Sequence, residues 1–202
     1  MKFIPALIAA AAAIAATGAS AHVAGALGGL NDSANFLTLS SANVSGGAIY
    51  FDTENFPATA ARPENSSPSI LTVGNWVAAG PSNGGGDDAT LTLSPGTTYV
   101  SFLWGSPDAY NTLTVHTDAG FVSFTAAVLG IQPVDGSQSQ ANYVNFTPTG
   151  SATMITSLVF SSPNTNAFEI ANVTAVPEPG TYAMLLAGLG ALGFVARRRK
   201  AA

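Results

Sequence analysis

The side chains here with chemistry to offer are two histidines, a scatter of acids and a few aromatic rings. His116 stands shortly before Asp118 and Ser123, a set from which a Ser-His-Asp nucleophile could be assembled, as a secreted hydrolase would need. Neither a nucleophile elbow nor an oxyanion loop accompanies them, so no catalytic residue is assigned and the chain is expected not to be an enzyme. The paired carboxylates Asp52 and Glu54, or Asp87 and Asp88, have the composition of a glycosidase acid and base, but read more simply as solvated loop charges. Gly84-Gly85-Gly86-Asp87-Asp88 offers hard oxygen ligands of the kind calcium takes, without the spacing of an EF-hand. A lone histidine at 116 makes no transition-metal site, and with no cysteine there is no thiolate chemistry. Apart from that calcium candidate, no cofactor is expected. Trp104, Tyr110 and Asn111 could form a rim that stacks on and hydrogen-bonds a sugar, as in a carbohydrate-binding module for a polysaccharide. Their simpler reading is a structural hairpin whose rings fill the core.

The elements that would position these groups are strands. Leu91 and Leu93 alternate with Thr90, Thr92 and Ser94, and Val100, Phe102 and Trp104 alternate with Tyr99, Ser101 and Leu103. Leu113 and Val115 alternate with Thr112, Thr114 and His116, which places His116 on a solvent face. Val122, Phe124, Ala126 and Val128 form one face of the next segment. Residues 48–51, 143–147, 155–161 and 168–174 read the same way. Gly/Pro/Asp punctuation separates the runs, at Pro95-Gly96, Pro107-Asp108, Asp118-Ala119-Gly120, Asp135-Gly136 and Pro148-Thr149-Gly150. The fold class expected is all-β, an antiparallel β-sandwich over residues 22–175, jelly-roll or immunoglobulin-like. Tyr99 to Val115 reads as a hairpin, with Gly105, Asp108 and Asn111 suited to its turn.

The two ends have a different composition. Lys2 precedes the apolar run Phe3 to Ala16, and Ala19 and Ala21 make the small-residue pattern a signal peptidase reads, with cleavage expected after Ala21. That leaves His22 as a mobile new N-terminus. At the other end, Val176-Pro177-Glu178-Pro179-Gly180 leads into the apolar run 181–196 and then Arg197-Arg198-Arg199-Lys200. Sixteen residues of helix span ~24 Å, enough to cross a bilayer with some help from snorkelling arginines. The basic end belongs in the cytoplasm, so the domain faces away from it. Between His22 and Val176 a single base, Arg62, stands against ten acids, leaving a formal charge of −9. A surface of that sign repels phosphate backbones and excludes nucleic acid as a partner.

Residues 176–202, with their Pro-Glu-Pro box, short apolar helix and arginine-rich end, resemble the PEP-CTERM sorting signal of bacterial exosortase substrates. The resemblance implies that Pro177, Glu178, Pro179 and Gly180 are the sorting and cleavage motif read by an exosortase, a membrane-embedded cysteine transpeptidase. It also implies a Gram-negative-type host that makes exopolysaccharide, with the product at the cell surface or in the biofilm matrix. The run Trp104-Gly105-Ser106, Asp108, Tyr110-Asn111 is similar to a W-G-S-x-D-x-Y-N signature of a subgroup of such surface proteins. Phe168-Glu169-Ile170-Ala171-Asn172 is similar to the F-E-I-D-N closing strand of these exported sandwiches, with Ala171 where the usual pattern has Asp.

Overall fold

The computed structural model describes residues 22–30, 32–51, 58–66, 69–83, 86–178 and 189. The segment 1–21 expected as a signal peptide lies outside them, as does the apolar run 181–196 apart from Leu189. Among the described residues no helix is long and apolar enough to cross a membrane.

The strands in chain order are β1 (Val23–Leu27), β2 (Val44–Gly46), β3 (Ala48–Tyr50), β4 (Glu64–Ser66), β5 (Ser69–Leu71), β6 (Trp76–Ala79), β7 (Asp88–Thr92), β8 (Thr97–Gly105), β9 (Thr112–Thr117), β10 (Gly120–Phe124), β11 (Asn142–Pro148), β12 (Ile155–Ser161) and β13 (Phe168–Pro177). A six-stranded sheet has the order β1-β11-β8-β13-β6-β3, and a five-stranded sheet has the order β10-β9-β12-β7-β2. β4 and β5 pair apart from both. From β6 onward the strands are dealt between the two sheets as two interlocked Greek keys, the order of a jelly roll and not of an immunoglobulin sandwich. β2 and β3 are one chain run that changes sheets at Gly46 and Gly47, whose φ of +69° and +61° suit glycine.

The inner faces meet in one apolar core. Phe102 and Trp104 of β8, Phe146 of β11 and Phe168 of β13 face Leu113 of β9 and Leu158 and Phe160 of β12. Phe160 stands edge-on to both Phe102 and Phe168, with ring centroids 5.4 and 5.3 Å away, so aromatic contact bridges the sheets. Behind the six-stranded sheet lies a second, smaller cluster of Ala60, Trp76, Ala78, Leu103, Ala141, Tyr143, Ala167 and Ala171, with Tyr50 stacked on Trp76 at 4.5 Å. The middle of that sheet is therefore buried on both faces, and Leu103 and Trp104, neighbours on opposite faces, are both 0% exposed.

Four expectations need correction. Tyr99 to Val115 is not a hairpin: β8 pairs with β11 and β13, whereas β9 pairs with β10 and β12. Residues 106–111 instead carry the chain from one sheet to the other, because the rings of β8 and the leucine of β9 must both point into the same core. The strand expected to reach Val128 ends at Phe124, where a turn tucks Ala126 and Leu129 inward and leaves Val128 exposed. His22 is tied down, its carbonyl accepting from Thr149 N–H at 2.9 Å and its Nδ1 lying 3.3 Å from Ser151 Oγ. On the outer face of β9, His116 is half-buried against Phe121 instead of fully exposed.

Trp104 and Phe168 are stacked with centroids 4.3 Å apart at the centre of this packing. Phe168→Ala is expected to destabilise the sandwich by about 3–5 kcal/mol, read from urea unfolding of a soluble form spanning residues 22–178. Val128→Ala should change stability by less than about 0.5 kcal/mol.

Candidate functional site

Two places gather the residues singled out by sequence. The first is the corner between β8 and β9. Ser106, at φ +30°, turns the chain out of the six-stranded sheet, and its Oγ donates to Glu169 Oε2. Glu169 lies in β13 opposite Gly105, and its Oε1 accepts from Ala61 N–H at 3.0 Å. At 2% exposed it is a carboxyl enclosed in protein. Burial pushes its pKa up to about 7; hydrogen bonds from Ser106 and Ala61 pull it down, and the charge of Asp108 pushes it up. The Tyr110 hydroxyl lies 2.8 Å from both Asp108 Oδ2 and the Asn166 carbonyl, so its one proton serves two acceptors. Burial raises both the Tyr110 phenol and the Asp108 carboxyl above their ordinary ranges. Asn111 donates to the Ala167 carbonyl at 3.2 Å and accepts from Ser162 Oγ at 3.1 Å. A Cβ on Gly136 would stand 2.7 Å from Asp108 Oδ1, so the neighbouring turn fits only as glycine.

The simpler reading of these residues, rings that fill the core, fits their burial better than a sugar-binding rim does. Trp104 and Asn111 are 0% exposed, and the half-buried Tyr110 has its hydroxyl engaged. All of them clasp the segment 166–170 that opens β13. The two sequence patterns, around Trp104 and around Phe168, are thus the two halves of one lock. Ala171, where the usual closing pattern has Asp, packs its methyl in the outer cluster. Asn172 next to it takes φ +52°, accepts from Val73 N–H at 2.7 Å and donates to the Tyr143 hydroxyl at 2.8 Å.

The second place is the far end of β13. Val176 pairs with Tyr99 and Pro177 with Thr97, while Glu178 N–H donates to the Gly96 carbonyl at 2.7 Å. Proline, with no N–H to give, is tolerated at such a strand end. Pro177 and Glu178 are thus fixed at the base of the sandwich. Pro179, Gly180, the basic residues Arg197, Arg198, Arg199 and Lys200, and the cleavage residues Ala19 and Ala21 lie outside the described residues.

The remaining candidates are dispersed. The Asp118 carboxylate accepts from Thr153 N–H and Oγ1 and from Met154 N–H, which holds its pKa below the usual range. Ser123 Oγ is 2.9 Å from Thr114 Oγ1, and His116 packs on Phe121, so each member of the imagined triad has a partner elsewhere. Asp88 opens β7, and the Asp87 carbonyl accepts from Ser162 N–H. Among the described residues no group of three acidic or histidine side chains is placed to hold a metal ion.

Residues 175–200 match the family model described as the PEP-CTERM protein-sorting motif. The chain carries that motif, which implies an exported protein sorted through the membrane and processed by an exosortase. No curated protein and no solved structure matches the chain.

A carboxyl whose folded pKa is about 7 against an ordinary 4.5 holds its proton more tightly when folded. Its contribution to stability is complete below about pH 4.5 and is lost as pH rises through 7, a difference on the order of 3 kcal/mol. Melting of the soluble sandwich should accordingly fall between pH 5 and 8, and Glu169→Gln should flatten that slope. An unchanged slope in the variant would show that the carboxyl does not titrate in this range.

Proposed function

We propose that this protein is a non-enzymatic surface or extracellular-matrix component, delivered by export, held transiently in the inner membrane and released or transferred by an exosortase. The observation that carries the reading is the direct run of β13, from the lock at Phe168-Glu169 to Pro177, into the segment 175–200 matched by the sorting motif. The domain is made to be handed over at that strand end. Its partners are then a signal peptidase, the exosortase and the exopolysaccharide of the matrix in which it comes to rest. The absence of an enzymatic role is supported by the separate engagements of His116, Asp118 and Ser123. A carbohydrate-binding module is the weaker reading, because Trp76, Trp104 and Tyr143 are all buried.

The experiment is intact-mass measurement and fractionation in the native host, comparing wild type with Glu178→Ala. Wild type is expected to lose residues 1–21 and the terminal apolar segment, and to appear at the surface or in the matrix. The variant should keep its tail and remain in the inner membrane. A wild-type protein that retains residues 181–202 would mean a permanent anchor and would end the exosortase reading.

A further inference from the structure

Residues 176–178 belong to the sandwich and to the sorting box at once. Thr98 Oγ1 donates to the Val176 carbonyl at 3.4 Å, Pro177 pairs with Thr97, and Glu178 N–H is held by the Gly96 carbonyl in the Pro95-Gly96 turn. The apolar run begins at Thr181, so the last sheet-bonded residue is three steps of chain from it. Three extended steps reach about 10 Å. A domain of about 155 residues has a radius of gyration of roughly 15 Å, larger than that reach. An enzyme working at the bilayer surface meets a box whose first residues are zipped into a sheet. Enzymes that take peptides as extended strands supply their own partners to the backbone groups, and here Gly96 already occupies the Glu178 N–H.

Burial along β13 marks how far this end can open. Val176, Pro177 and Glu178 are exposed and Ala175 is half-buried, whereas Thr174 is 2% and Val173 0% exposed. Freeing the last three residues breaks a few surface hydrogen bonds; going further would draw Val173 out of the core. Openings of the first kind are the low-energy ones in any fold. Each freed residue adds up to ~3.5 Å of lead, so releasing three roughly doubles the distance between sandwich and bilayer.

We propose, resting on the exosortase reading, that Gly96, Thr97 and Thr98 clamp the sorting box. Tail removal then waits on release of residues 176–178 from this clamp. The test uses the full-length chain in its host, following tail loss by pulse-chase and mass. A six-residue Gly/Ser insertion between Val176 and Pro177 keeps the box intact, lengthens the lead and shifts Pro177 and Glu178 away from Thr97 and Gly96. It should speed tail loss about threefold or more, with Thr98→Val giving a smaller gain. An unchanged or slower rate on insertion would overturn the clamp. Hydrogen exchange of the full-length chain in detergent reads the same device without the enzyme. The Glu178 amide should exchange at least about tenfold more slowly in wild type than in the insertion variant. Equal rates overturn the clamp even where the tail is removed normally, whereas a wild-type chain that never loses its tail overturns the exosortase reading and the clamp with it.

Discussion

β13 lies against β8 from Glu169 opposite Gly105 to Pro177 opposite Thr97, and almost everything else is arranged around that pairing. The two strands are the middle of the six-stranded sheet, and their inner rings, Trp104 on Phe168 and Phe102 beside Phe160, form the aromatic part of the core. At one end of the pair the buried Ser106–Glu169 bond ties the chain crossing to the closing strand. At the other, the same two strands hold the beginning of the sorting box. Since the closing strand is last in the sequence and central in the sheet, the fold is completed only when the C-terminal part of the domain is in place.

Strands with one wet face were legible from alternation, and the long β8 and β13 from their β-branched and aromatic residues although both their faces are buried, but the short β6 and β1 were not. β9 alternates Thr112-Leu113-Thr114-Val115 because its outer face meets solvent, and the period of two follows directly. β6, Trp76-Val77-Ala78-Ala79, is buried on both faces and offers no alternation to read. The same loss of contrast conceals β1, whose Val-Ala-Gly-Ala-Leu continues the small apolar composition of residues 3–21. The error at 99–115 has another source. Gly105, Pro107 and Asp108 specify that the chain turns, but local turn chemistry is the same whether the chain returns to its own sheet or crosses to the facing one. Only the distant partners β11 and β12 decide which.

The candidate site divides along the same line. The sorting box could be read because its chemistry is linear: a proline-framed acid, an apolar run and a basic end, all consecutive. The lock could not, since Ser106 and Glu169 are 63 residues apart and Ala61, which completes the carboxyl's shell, comes from a third segment. A glutamate inside an otherwise apolar strand, Phe168-Glu169-Ile170, was the one local sign that a buried polar partner had to exist.

The register also fixes where the two ends of the domain emerge. Val23 pairs with Pro148, Phe146 with Val100, and Val100 with Ala175, so the first strand begins at nearly the same level at which the last one finishes. Three strand spacings, roughly 14 Å, separate them along one rim of the sheet. A domain whose two ends leave side by side closes as a loop pinned at two neighbouring points, with nothing to twist or thread. Neither end has to pass around or between the sheets before they can form.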